Sequence, residues 1–272
     1  MIQDIHPQKL NNEYVHKHAD KKSVIFSFLE GKVLCCGKQE VSFPLFEDLA
    51  GGKKECIYLF EIDGMDFFLA RQGQIKADTE FTYESIDIFR AMKPKHLAFA
   101  GITAYHLYRW YRDNEYCGSC GSPFLLHNTK ERVLVCEKCE NHIYPRIAPV
   151  VIVGVTDGDK LLMTRSASSA YKNYALIAGF VEIGESAEEA VKREVMEEVG
   201  IKIKDISYYK SQPWGFSGSL LLGYYAKLDG EAAINIKSNE LSKAKWINRA
   251  DIKNEDEDFS LTNEMICNFK NG

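Results

Sequence analysis

Residues 179–201 read GFVEIGESAEEAVKREVMEEVGI, and the spacing predicts a loop followed by a helix. Ser186 with Glu189 three residues on is a capping-box signature, so the helix starts at Ala187. Gly200 is a natural stop. Ala187, Ala190, Val191, Val195 and Val199 recur at helical spacing and form a stripe to be buried. Another face carries Glu194, Glu197 and Glu198 at i, i+3 and i+4. Carboxylates so placed repel one another, by roughly a few tenths of a kcal/mol per pair. A solvated acidic helix also carries such a face, although one meant only for solvent would more often mix in lysines. Hard cations such as Mg²⁺ or Mn²⁺ take oxygen ligands of this kind. Upstream, Glu182 and Glu185 add two carboxylates, and Gly179 and Gly184 permit sharp turns. Arg193 can pair with Glu197 one turn on, or reach back and hold a loop carboxylate.

The string resembles the Nudix box: Gly, five residues, Glu, seven residues, Arg-Glu, an aliphatic, any residue, Glu-Glu, any residue, Gly, aliphatic. Gly179, Glu185, Arg193, Glu194, Val195, Glu197, Glu198, Gly200 and Ile201 fill every fixed position. That resemblance implies a loop–helix–loop that binds divalent metals and hydrolyses a nucleoside diphosphate linked to a second group. Which second group must come from elsewhere in the chain.

A length of 272 residues suits two domains, or one with a small insert. The balance of 45% hydrophobic and 27% charged residues is that of an ordinary soluble protein. A net charge of −5 argues against a general nucleic-acid binder and fits an enzyme that needs cations to approach a polyphosphate. No apolar run approaches the roughly 18 residues of a membrane span. No basic stretch followed by an apolar core marks a signal peptide, so a cytoplasmic chain without a membrane partner is expected. Four of the eight cysteines form CxxC pairs. Cys35, Cys36, Cys56 and Cys267 lie in apolar contexts and read as free core thiols.

Three domains are expected: an N-terminal α+β domain with a linker helix over 1–113, a zinc ribbon over 114–145, and an α/β/α sandwich with a mixed sheet over 146–272. In the first, strands over 23–29 and 32–36 flank Glu30-Gly31, and strands over 57–62 and 65–70 flank Asp63-Gly64. Residues 83–92 look helical. A stronger helix over 94–113 shows a narrow seam of Leu97, Gly101, Ala104, Tyr108 and Tyr111, with its aromatics read as core or dimer contacts. Cys117-Gly-Ser-Cys120 and Cys136-Glu-Lys-Cys139, fifteen residues apart, match two zinc knuckles: four thiolates, closed, structural. His127 and His142 are surplus to that set. Strands are expected over 150–155, 160–164, 202–210, 220–228 and 244–247, with 174–178 leading into the glutamate loop, an acidic loop over 254–258, and a last helix from Leu261.

Residues 211–219, SQPWGFSGS, read as a Pro/Gly/Ser loop whose Trp214 and Phe216 either stack on a flat ring or anchor the loop in the core. A zinc ribbon, Tyr144-Pro-Arg-Ile-Ala-Pro149, a Nudix box and this loop, in that order, resemble the NADH pyrophosphatase family of Nudix hydrolases. The resemblance is close from about residue 116 to 246 and covers the N-terminal part only in general layout. The family's loop carries prolines where this chain has Gly215 and Ser217, which implies a less rigid loop.

Carried over residue by residue, the resemblance makes Glu194 and Glu198 ligands of catalytic Mg²⁺ or Mn²⁺. Glu197 supports them or serves a further metal, the Ala178 carbonyl joins them, and Glu240 completes the site. Arg193 and Glu185 belong to the same catalytic set. Phe180 and Tyr144 would stack on the nicotinamide, Tyr144 across a homodimer interface. Gln212, Pro213, Trp214, Gly215, Phe216, Ser217, Gly218 and Ser219 would line the dinucleotide pocket. Glu131 matches a substrate-contacting position in the ribbon, Thr262 departs from the family's Ser-x-Ala, and Arg90 lies where the match is loose. Glu198 or Glu240 would orient or deprotonate the attacking water. The implied reaction splits NADH or NAD⁺ into nicotinamide mononucleotide and AMP, and extends to NAD caps on RNA 5′ ends. Two alternatives stand beside it: a pyrophosphatase for ADP-ribose or another nucleoside diphosphate, and a zinc-ribbon RNA-binding module with an inactive Nudix domain.

Overall fold

The computed structural model describes residues 1–37, 41–49, 55–70, 80–123, 130–167, 174–236, 241–253 and 259–272. They form two compact units, one of Ile2–Arg146 with Gly215–Gly218, the other of Met1, Ile147–Trp214 and Ser219–Gly272. His127, Glu240 and the acidic stretch 254–258 lie outside the described residues.

The first unit contains β1 (Leu10–Asn11), β2 (Val24–Phe26), β3 (Phe28–Leu29), β4 (Lys32–Cys35), β5 (Cys56–Ile62), β6 (Met65–Ala70) and β7 (Thr82–Ser85). Helix α1 (Lys95–Asp113) and the short strands β8 (Leu134–Val135) and β9 (His142–Ile143) follow. The strands make sheets in the orders β1-β5-β6-β2, β3-β4-β7 and β8-β9. Both expected turns form with positive φ at each central residue: Glu30 at 47° and Gly31 at 75°, Asp63 at 49° and Gly64 at 79°. That conformation suits a two-residue hairpin between right-twisted strands.

The helix expected over 83–92 needs correcting. Thr82–Ser85 pairs antiparallel with β4, Leu34 opposite Tyr83, and only Ile86–Arg90 turns as a 3-10 helix, capped by Ser85. The Tyr83 hydroxyl meets that of Ser27 at 2.9 Å. Strand pairing at long range has overridden a local helical pattern. Helix α1 forms where expected, but its seam is not narrow: Phe99, Ile102, Leu107 and Trp110 are buried as well. The Phe28 ring lies 5.3 Å from Tyr105 and 5.2 Å from Tyr108. Gly101 admits Phe89, whose ring would lie 2.1 Å from any Cβ there.

The second unit contains β10 (Ala148–Asp157), β11 (Lys160–Ser166), β12 (Ile177–Phe180), α2 (Ala187–Val199), β13 (Ile203–Trp214), β14 (Ser219–Leu228), β15 (Leu241–Asn248) and α3 (Leu261–Asn271). The sheet runs β13-β14-β10-β11-β15, with β12 also on β10. The β10–β14 pair is parallel and the others antiparallel, so the sheet is mixed. Strand β10 is apolar on both faces because both are covered. Val151, Val153 and Val155 pack with Ala190, Val191, Val195 and Val199 of α2. Val150 and Ile152 pack with Leu261, Met265 and Phe269 of α3. Each such side chain, fully buried, contributes about 1.5–3 kcal/mol. This is the expected α/β/α sandwich.

The loop expected over 211–219 is mostly strand. Strand β13 runs on to Trp214 and β14 starts at Ser219, leaving Gly215–Gly218 as the turn of a long hairpin. Pro213 is tolerated because β13 is an edge strand and spares one amide.

Candidate active site

Strand β12 and helix α2 bring the acidic loop together. Ala178 stands opposite Ile152 and Gly179 opposite Val151, and the Val181 amide donates to the Pro149 carbonyl at 3.1 Å as the chain leaves the sheet. Within the loop the Glu182 amide donates to the Glu185 carboxylate at 3.1 Å. Ser186 and Glu189 close the capping box, with the Ser186 amide 2.8 Å from the Glu189 carboxylate. Gly200 ends the helix at φ 70°. Burying the valine stripe of α2 turns its glutamates toward the loop.

Arg193 is the hub of this arrangement. Its Nε and Nη2 donate to the two oxygens of Glu185 at 2.8 and 2.9 Å, a bidentate pair. Nη1 donates to Glu194 at 2.7 Å and to Glu197 at 3.1 Å, and Nη2 reaches the Phe180 carbonyl at 2.8 Å. Both expected pairings of Arg193 therefore occur at once. Its hydrogen bonds hold the Glu185 carboxyl below the ordinary carboxylate range, and Glu185 in turn raises the guanidinium. A Cβ on Gly179 would fall 1.9 Å from the Glu194 carboxyl, so only glycine lets that carboxylate lie against β12. Glu198 is 6% exposed, a buried acid on the same helix. Three carboxylates (Glu185, Glu194, Glu197) meet one guanidinium in this hub, so the carboxylates outnumber the cation. Oxygen donors of this type are what a hard divalent cation takes.

The SQPW stretch divides by residue. Gln212 is fully buried and its amide is spent on backbone: Nε2 donates to the Phe259 carbonyl and Oε1 accepts from the Leu261 amide, both at 2.7 Å. Trp214 stacks on Phe259 with centroids 5.9 Å apart. Pro213 is exposed, Ser219 is buried, and Thr262 is half-buried in the first turn of α3.

The turn is held differently. A Cβ on Gly215 would lie 2.3 Å from the Ile102 carbonyl oxygen, and one on Gly218 would lie 3.1 Å from His106 Nε2. Arg109 donates to the Phe216 carbonyl at 3.3 Å, and the Arg90 guanidinium sits 4.2 Å from the Phe216 ring centre. The His106 ring also meets the Arg146 carbonyl at 2.9 Å, and burial pushes its imidazole below the ordinary value. Where prolines would stiffen this turn, close packing on α1 restrains it. Ser217 points outward. His106, Arg109 and Phe259 hold the hairpin yet fall in no motif; only the i, i+3 spacing of His106 and Arg109 hinted at a shared face.

In the first unit the Tyr144 hydroxyl donates to Glu131 at 3.2 Å, and that carboxylate raises the phenol above its ordinary value. Tyr144 in this unit and Phe180 in the other are each 55% exposed. The sulfurs of Cys117, Cys120, Cys136 and Cys139 lie within 4.8 Å of one another, the only such set of metal-ligating groups among the described residues. Two of the separations are 3.6 and 3.5 Å. Tetrahedral zinc with Zn–S near 2.3 Å needs edges of roughly 3.8 Å, so the four thiols fit it. The Ser122 amide and hydroxyl pull the Cys120 thiol down to about 6, toward the thiolate a metal requires.

Residues 145–269 match the NUDIX domain family. This stretch is similar to a Nudix domain. Among curated proteins, NAD-capped RNA hydrolase NudC of Pseudomonas putida KT2440 is 42% identical over 143 residues, covering 53% of this chain and 51% of that protein. NAD-capped RNA hydrolase NudC of Salmonella paratyphi C is 42% identical over 148 residues, 54% of this chain and 56% of its own. The chain thus spans about half the length of the curated relatives it matches. Among solved structures, a NUDIX hydrolase from Nitrosomonas europaea aligns over 58% of this chain and 90% of its own, at 19% identity and a TM-score of 0.47. No helix among the described residues is long and apolar enough to cross a membrane. Within the matched stretch, Ala178, Phe180, Glu185, Arg193, Glu194, Glu197 and Glu198 gather on β12, its loop and α2.

Proposed function

We propose that this chain hydrolyses the pyrophosphate bond of NADH or NAD⁺ to nicotinamide mononucleotide and AMP, and acts on the same bond at NAD-capped RNA 5′ ends. The observation that carries the reading is the Arg193 hub, which ties Glu185 of the loop to Glu194 and Glu197 on the helix that also bears buried Glu198. The names of the Pseudomonas and Salmonella relatives support the choice of substrate.

Glu194, Glu197, Glu198 and the Ala178 carbonyl would hold Mg²⁺ or Mn²⁺, with Glu240 as a further ligand. When bound, such cations offset charge on the diphosphate oxygens and lower the pKa of water. Glu198 or Glu240 accepts the proton of the attacking water. The water oxygen bonds to one phosphorus while the bridging P–O bond breaks, and the bridging oxygen leaves with the other phosphate. Arg193 keeps the acidic side chains from swinging apart, so little reorganisation is needed at the moment of reaction. Phe180 and Tyr144 offer faces for the nicotinamide, a stack worth ~1–3 kcal/mol. In this reading Tyr144 works across a homodimer, and the four cysteines hold structural zinc.

The test is a panel of NADH, NAD⁺ and ADP-ribose with Mg²⁺ or Mn²⁺, products separated by chromatography. NADH should show the higher kcat/KM. One observation favours ADP-ribose instead: Gln212 and Trp214 are engaged with residues 259–261, leaving fewer groups for a second flat ring. Equal or better cleavage of ADP-ribose would establish that second reading.

A further inference from the structure

One face of the β11–β15 pair changes character along its length. Leu161 stands opposite Ile247, Met163 opposite Lys245, and Arg165 opposite Lys243. Side chains alternate along a strand, so these six share one face. Leu161, Met163 and Ile247 pack into the core cluster under α3, and the rest of the face is basic. Tyr174 packs on the same cluster, with the Arg165 guanidinium 4.7 Å and the Lys245 ammonium 4.4 Å from its ring centre.

No carboxylate among the described residues pairs with Arg165, Lys243 or Lys245. The Nε of Arg165 is buried without a hydrogen-bond partner. Three adjacent cations with no acid among the described residues are notable in a chain of net charge −5. Lysines on an edge strand commonly discourage edge-to-edge pairing, which accounts for Lys243 and Lys245. It does not account for Arg165, which lies on interior strand β11, nor for the ring that holds two of the heads.

We propose that this face binds the phosphodiester backbone of a single-stranded nucleotide chain. A guanidinium fork takes a phosphate by two parallel bonds, and the lysines act as point charges beside it. Lys243 and Lys245 are two residues apart on one strand, roughly 6.5 Å, a spacing comparable to that of successive phosphates in an extended chain. Tyr174 holds Arg165 and Lys245 in place beforehand, which lowers the entropy lost on binding. A lone dinucleotide has too few phosphates to use all three cations. The inference deepens the reading of the Nudix site as acting on RNA 5′ ends, and rests on it for its purpose.

The experiment is fluorescence anisotropy with a labelled single-stranded RNA of about 12 nucleotides, without a dinucleotide cap, at roughly 50 and 200 mM salt. Wild type is compared with Lys243→Gln/Lys245→Gln and, separately, Arg165→Gln, each checked for folding by thermal melting. The double variant should bind at least about tenfold more weakly, and its salt slope should fall by about 1.4, at ~0.7 per lost phosphate contact. Unchanged affinity and slope in folded variants, or displacement of the RNA by inorganic phosphate at matched charge, would overturn the proposal. NADH hydrolysis by the wild-type chain is measured in parallel. Hydrolysis without RNA binding sinks the patch alone, while RNA binding without hydrolysis sinks only the activity.

Discussion

Arg193 binds five acceptor oxygens on four residues, so its geometry matters more than its charge. Arg193→Lys keeps the cation but loses the fork, and a single ammonium cannot hold Glu185, Glu194, Glu197 and the Phe180 carbonyl together. Hydrolysis should fall by about tenfold or more, the direction expected when a preorganised charge is loosened. Glu198→Gln keeps shape and loses charge, and should cost on the order of 10² in kcat with little change in melting temperature. Near-normal turnover in that variant would remove α2 as the catalytic helix. Acid titration probes the hub from another side. Because Arg193 depresses the pKa of Glu185 below 4.5, the pair's stabilisation is complete above that value and lost as pH falls through the depressed one. Denaturant midpoints of wild type should drop in that acid range, and Glu185→Gln should flatten this part of the profile. The glutamates and Arg193 were legible because a motif fixes their spacing. The partners of Gln212 were not: its amide ties β13 to residues 259 and 261, and nothing in SQPW announces them. Gln212→Ala should cost about 1–3 kcal/mol by stranding two buried backbone groups, seen as a lower denaturation midpoint.

At the scale of elements, the β13–β14 hairpin shows what composition conceals. Pro, Gly and Ser read as loop, whereas cross-strand pairing extends β13 to Trp214 and confines the bend to Gly215–Gly218. Gly215→Ala places a methyl against the Ile102 carbonyl, and should destabilise the protein by ~1–3 kcal/mol through overpacking, measured as a shift in melting temperature. An unchanged melt would mean the turn is not held as described. The sequence conveyed α2 almost completely, because cap, stripe and stop all lie within it. Residues 83–92 misled for the opposite reason: Tyr83 takes its conformation from β4, some fifty residues earlier, and local periodicity carries no trace of that partner. The buried face on α1 likewise meets rings distant in sequence, Phe28 against Tyr108 and Phe89 against Gly101.

At the scale of the molecule, the cysteine cluster supports more than its own knuckles. Arg132, from the same stretch, donates to Asn12 Oδ1 at 2.9 Å and to the Leu59 carbonyl, and lies 5.5 Å from the Tyr14 ring centre. Cys117→Ser should therefore lower bound zinc, measured by elemental analysis, and speed hydrogen exchange near Asn12 and Leu59 as well as within the knuckles. Wild-type protein without tightly held zinc would end the structural-zinc reading. Sedimentation should find a dimer if Tyr144 works across an interface. Numbering along the chain makes residues 147–272 look like a cassette that recombination could lift out whole. Yet Gly215–Gly218, deep inside that cassette, take their shape from Ile102, His106 and Arg109. A gene that exchanged its first half would inherit a turn moulded by a helix it no longer encoded, so the two halves can change only as co-heirs.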